Sequence, residues 1–169
     1  GMLDCDKPIV SAINGAAVTT SGAQLSGDAT RLGSNTVLSG TTVTFNDSLN
    51  STGVARSLTI HNTGDVEFSG PTGNLVTLGQ VDVTGAGGTT TLTGPTTVGG
   101  LTLANNAHIT GGLTSAGGIS VAGSSTLSGL VKSTNSFITL TGPVVTTGTV
   151  SALGNISVGS TLRMAGRMQ

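Results

Sequence analysis

The sequence predicts an all-β chain wound as a right-handed parallel β-helix, a β-solenoid of about 18–20 residues per coil. Three observations predict it. Thirty Thr, nineteen Ser and 28 Gly stand against three Phe and no Tyr or Trp among 169 residues, a mix that favours β-branched strands broken by frequent turns and disfavours long helices. Apolar pairs separated by one residue recur at Leu58/Ile60, Val81/Val83, Leu101/Leu103, Ile119/Val121, Ile138/Leu140 and Ile156/Val158, at intervals of 23, 20, 18, 19 and 18. A second series, Leu92, Ile109, Leu127, Val145 and Leu162, advances by 17, 18, 18 and 17 in phase with the first. A fixed period of this size marks a stacked repeat.

In chain order, residues 1–35 read as a leader followed by one or two atypical capping coils, and residues 36–169 as the solenoid. In the leader the single cysteine, Cys5, lies between Asp4 and Asp6 and ahead of Pro8. It has no partner for an internal disulfide and is expected to be incidental, an intermolecular disulfide being the alternative. Gly1 before Met2 has the look of a residue left by tag removal, and no charged segment followed by an apolar stretch suggests a signal peptide. Longer alternating strands are expected over Thr41–Asn50 and Arg56–Ser69, and short regular coils from near Val81.

Each pair follows the alternation of a half-buried strand, as in Leu101-Thr102-Leu103 and Ile119-Ser120-Val121. Between pairs stand turn signals such as Gly87-Gly88, Gly94-Pro95, Gly99-Gly100, Gly111-Gly112, Gly117-Gly118 and Gly142-Pro143. Strands so short need neighbours on both sides. Two or three per coil, stacked in register, supply them, and the crossover preference favours a right-handed winding. The core is expected to be a narrow column of Val, Leu and Ile, with Phe45, Phe68 and Phe137 filling wider sections. A fainter third series runs through Val98, Leu113, Val131 and Val150. An antiparallel sandwich and an intertwined trimeric β-prism are the competing all-β architectures, and the fixed period disfavours the sandwich.

Charged residues make up 8% of the chain and the net charge is −1, which leaves no electrostatic basis for binding a nucleic-acid backbone. No apolar run approaches the roughly 18 residues of a membrane span. The few charges are unevenly placed. All seven acidic residues lie at or before Asp82, whereas beyond it the only charged side chains are Lys132, Arg163 and Arg167.

The segment from Ala17 to Asn50, with Ala-Val-Thr-Thr-Ser-Gly-Ala-Gln and then Leu-Gly-Ser-Asn-Thr-Val-Leu-Ser-Gly-Thr-Thr-Val-Thr-Phe-Asn, resembles the β-strand repeats of giant bacterial surface exoproteins, the filamentous-haemagglutinin-like and autotransporter-like adhesins. Ala55-Arg-Ser-Leu-Thr-Ile-His-Asn-Thr-Gly-Asp-Val-Glu-Phe-Ser-Gly looks like the following strand pair of the same repeat. The likeness extends to about residue 110 and is compositional beyond it. It implies a right-handed β-helical stalk, exported and displayed at the cell surface, in which few individual residues carry function. The secretion-recognition domain and membrane barrel of that family have no counterpart in the sequence.

β-Helices also carry polysaccharide lyases and hydrolases, which need paired carboxylates or a calcium-binding acidic cluster with a base nearby. Asp65 and Glu67, two residues apart, with Asp82 about one coil later and Arg56 alongside, form the best acidic cluster available. The preferred reading makes them solvated charges that keep a Thr-rich face from aggregating. No catalytic, cofactor-binding or metal-ligating residue is assigned and no cofactor is expected. His61 and His108 are 47 residues apart, and no nucleophile elbow, phosphate loop, His-Glu-x-x-His or Cys-x-x-Cys occurs. The expected function is a non-catalytic structural stalk or adhesin segment outside the cell, with a host-surface or glycan ligand open. The alternatives are a polysaccharide-binding or polysaccharide-cleaving β-helix of phage-tailspike or lyase type and a Thr-array ice-binding protein, the last suggested by Thr42/Thr44, Thr91/Thr93, Thr139/Thr141 and Thr147/Thr149. Uncapped strand edges predict homo-oligomers through solenoid ends or sides, with Arg163 and Arg167 blunting the C-terminal edge.

Overall fold

A computed structural model describes residues 10–165 and 167–169, so the leader and Cys5 lie outside the described residues. Within them the chain is all-β, without a helix, and every strand pairing is parallel. The strands stack on three faces into a β-solenoid of about eight turns.

The first face stacks Ser11–Ile13, Thr30–Leu32 and Leu49–Ser51, passes through single bridges at Thr72, and continues with the start of Thr96–Leu103, then Leu113–Ser115, Val131–Ser133, Thr149–Ala152 and Arg167–Met168. The second runs Ala17–Thr19, Thr36–Gly40, Leu58–Asn62, Leu78–Val83, the end of Thr96–Leu103, Ile119–Val121, Ile138–Leu140 and Ile156–Val158. The third runs Gln24–Ser26, Val43–Phe45, Val66–Phe68, Thr89–Leu92, Asn106–Ile109, Ser125–Leu127, Val144–Thr146 and Leu162–Met164. From Gln24 the partners on the third face are Val43, Val66, Thr90, Ala107, Ser125, Val144 and Leu162, so a coil takes 19, 23, 24, 17, 18, 19 and 18 residues in turn.

In-register stacking sets like side chains on one another, and the interior becomes a set of columns. The longest apolar one, on the second face, is Val18, Leu38, Ile60, Val83, Leu103, Val121, Leu140 and Val158. Beside it Leu58, Val81, Leu101, Ile119, Ile138 and Ile156 continue from Thr36. On the third face Phe45 stacks on Phe68 with ring centroids 5.4 Å apart and planes 17° apart. Leu92, Ile109 and Leu127 extend that column. Burial of these side chains and the continuous ladder both stabilise the stack, each coil through its neighbours alone.

Three expectations about the interior need correction. Phe137 is exposed: it sits in the corner between the first and second faces with its ring over Gly118. Val145 points outward, because Leu127 pairs with Thr146, and Val144 with Thr146 takes the inward positions. Val98 belongs to a different column from Leu113, since it pairs with Ser115 while Thr96 pairs with Leu113.

The corners are where the sequence yields to spacing. Between the third and first faces Gly70, Gly94, Gly111, Gly129 and Gly148 stack at the ladder distance of about 4.8 Å. A methyl on Gly129 would lie 1.7 Å from the Gly111 carbonyl oxygen, and one on Gly148 would lie 2.1 Å from that of Gly129. Only a hydrogen fits there. The two longest coils place their extra residues in loops at 52–57, 73–77 and 84–88, and the three positive-φ glycines, Gly53, Gly73 and Gly88, all lie in these loops. Buried Asn50 pins the second loop, its Oδ1 accepting from the amides of Leu75 and Val76.

The first coil differs from those that follow. Its third-face strand turns Gln24 and Ser26 inward, in register with Val43 and Phe45, and leaves Leu25 outside with 69% of its surface exposed. Gln24 Nε2 donates to the carbonyls of Val18 in its own coil and Ser39 in the next, so the polar group is satisfied.

Candidate functional site

Strand alternation decides where each charged side chain goes. Glu67 lies between inward Val66 and Phe68 and therefore projects from the third face, in a row with Thr44, Thr91 and His108. Asp82 lies between inward Val81 and Val83 and projects from the second face, in a row with Thr59 and Thr102. The two carboxylates sit on different faces. Asp65 precedes the Val66–Phe68 strand in the exposed corner.

Each carboxylate is engaged close to home. Asp65 Oδ1 accepts the Thr89 amide at 2.8 Å and so fixes the turn that carries Gly88. Glu67 Oε1 accepts the Ser69 hydroxyl at 2.8 Å, and Asp82 Oδ1 accepts Gln80 Nε2 at 2.8 Å. The same Gln80 amide nitrogen reaches Thr102 Oγ1 at 3.1 Å, tying adjacent coils. Arg56 is half-buried in the corner between the first and second faces, where the Ser51 hydroxyl accepts its amide. No groove joins these four residues.

The histidines are also kept apart. His61 projects from the second face, with Nδ1 against Thr84 Oγ1, and His108 from the third. Among the described residues no group of three His, Cys, Asp or Glu is placed to hold a metal ion. None of the described helices is long and apolar enough to cross a membrane, there being no helix at all.

Nor do the Thr-x-Thr pairs make one array. Thr44 and Thr91 lie on the third face and Thr139 on the second, while Thr147 is in a corner. The most regular polar row, hydroxyls broken by one carboxylate, is one the pairs do not mark. It runs along the second face through Thr59, Asp82, Thr102, Ser120, Thr139 and Ser157, one outward residue per coil. Its signal in the sequence is the middle residue of each apolar pair, read as a column.

The clearest concavity lies at the N-terminal end of the stack. There the small and polar inward residues of the first coil leave a cavity of about 340 Å³, lined by Ile13, Val18, Leu25, Leu38, Val43 and Phe45 among others. At the opposite end Leu162 and Met164 are 37% and 41% exposed, although they occupy inward register positions on Val144 and Thr146. Arg163 projects between them.

No protein-family description, curated protein or solved structure matches the chain. What the fold defines is a β-solenoid repeat protein of about eight turns.

Proposed function

We propose that the chain is a passive stalk of a bacterial surface exoprotein of the filamentous-haemagglutinin-like or autotransporter-like kind, exported and displayed outside the cell, and that it performs no catalysis. The observation that supports this reading is the dispersal of Asp65, Glu67 and Asp82 over two faces and a corner, each bonded within its own neighbourhood. Glycosidic cleavage by paired carboxylates requires the two groups to flank one bond, about 5–10 Å apart across a groove. A rod whose interior is filled by Val, Leu, Ile and Phe columns has extension as its physical property, and any ligand would be held by surface hydroxyl and backbone groups over many coils.

The test is turnover. The protein is incubated with neutral and uronic-acid polysaccharides, and reducing ends and unsaturated products are measured alongside Asp65→Asn, Glu67→Gln and Asp82→Asn. No product above a protein-free control is expected from any of the four. Cleavage by the parent protein that disappears in one variant would establish an enzyme instead.

A further inference from the structure

The two ends of the rod are unlike, and they are complementary in three respects. The first is shape: the N-terminal coil is under-filled around its 340 Å³ cavity, and the C-terminal coil carries exposed apolar side chains, Leu162 and Met164, at positions that would be interior if another layer followed. The second is hydrogen bonding. Ala17–Thr19 and Gln24–Ser26 terminate their faces at one end, and Ile156–Val158 and Leu162–Met164 terminate the same faces at the other. Each such strand has one edge paired along a parallel ladder and the other unpaired among the described residues, which makes it a template for a further parallel strand.

The third respect is charge. Residues 1–82 hold seven acidic and three basic side chains, net −4, and residues 83–169 hold three basic side chains and no acidic one, net +3, which together give the chain's −1. Among the described N-terminal carboxylates, Asp28 and Asp47 are exposed at the corner that follows the third face, and at the far end Arg163 is exposed on that face between Leu162 and Met164. Exposed Arg31, one coil in on the first face, offsets Asp28, so among the described residues the negative charge builds from Asp47 onward: residues 10–82 hold five acidic and two basic side chains, and residues 83–169 hold three basic and no acidic one.

From these features we infer that copies of this chain dock head to tail along the rod axis, Leu162 and Met164 of one copy capping the N-terminal cavity of the next. A two-fold contact, N-terminal end on N-terminal end or C-terminal on C-terminal, would oppose the parallel direction of the ladder, and C-terminal on C-terminal would also set Arg163 against Arg163. A head-to-tail contact does neither. Such a contact is heterologous and leaves a free end on every copy, so it propagates into linear chains of copies. This inference rests on the ends alone and is independent of the stalk proposal, which concerns the absence of turnover.

The experiment is sedimentation velocity with small-angle scattering on the whole chain over a wide concentration range, under reducing conditions so that Cys5 forms no disulfide. Species whose length grows in steps of about 40 Å at constant cross-section are expected, and association should weaken as salt is raised, because attraction between opposite exposed charges is screened. Leu162→Asp with Met164→Asp should weaken association by about tenfold or more. Arg163→Glu, which leaves the apolar surface intact, should weaken it at low salt. Ser120→Asp, on the side of the rod in mid-stack between Thr102 and Thr139, should leave it within about twofold, the change expected when no contact is touched.

A monomer at every concentration would overturn the inference. A doubled cross-section, or equal loss in Ser120→Asp, would overturn it in favour of lateral packing. Far-UV circular dichroism of each variant separates lost docking from lost folding, and Arg163→Glu decides the matter if the aspartate pair does not fold.

Discussion

A single methyl group tests the corners. Gly129→Ala places a carbon against the Gly111 carbonyl where 1.7 Å is available, whereas Gly112→Ala, one residue beyond Gly111, meets nothing within 4 Å. The first substitution should lower stability by about 1–3 kcal/mol through overpacking and the second by well under that, as read by urea denaturation followed by circular dichroism, the chain having no Trp or Tyr to report by fluorescence. Buried hydroxyls give the opposite sign. Ser125 is 1% exposed between Ala107 and Val144, and its Oγ has no hydrogen-bond partner. Removing a desolvated, unpaired hydroxyl relieves a cost, so Ser125→Ala should raise stability by about 0.5–1 kcal/mol. Thr90 differs, because its hydroxyl donates to buried Asn105 Oδ1 at 2.9 Å. Thr90→Val should cost about 1–3 kcal/mol by leaving that oxygen unpaired. At this scale the sequence is ambiguous wherever two apolar residues adjoin or an inward site is polar. Val144 and Val145 satisfy the same alternation, and Phe137 carries no mark of the Gly118 surface on which it lies.

Coils are the unit of stability, and identical substitutions should differ with position along one column. Val18 and Val121 belong to the same second-face column, but Val18 heads it and is 38% exposed while Val121 is fully buried between Leu103 and Leu140. Val121→Ala should cost about 2–3 kcal/mol and Val18→Ala less than about 1, and amide exchange should be faster in Ala17–Ser26 than in the middle coils. Most of the elements were legible because an apolar pair stamps the second face of nearly every coil. The first and third faces were less so. Their inward positions include Thr96, Ser115, Ser125, Ser133 and Thr146, all buried, and hydropathy cannot tell an inward hydroxyl from an outward one. In the first coil the inverted Gln24–Ser26 strand is held by side-chain bonds from Gln24 to the Val18 and Ser39 carbonyls that no local pattern announces.

At the scale of the whole molecule, the period and the turn composition specify the solenoid, since one coil's ladder prescribes the next. The candidate site is another matter: sequence proximity put Asp65 and Glu67 together and one coil length brought Asp82 near, but that coil takes 24 residues, and the loop at 73–77, which precedes Asp82, leaves it on the second face. Because coils interact only with neighbours, duplicating residues 101–118 should give a folded protein with a longer rod by about 5 Å and a higher unfolding midpoint, whereas a domain with one closed core would lose its fold. The ladder bonds run along the rod axis and the chain passes from one end to the other, so tension applied to the two termini would act on them directly. Coils would peel away singly, each letting out about 60 Å of extended polypeptide, and the rod would behave under load as a ratcheted spring that yields in small steps before it breaks.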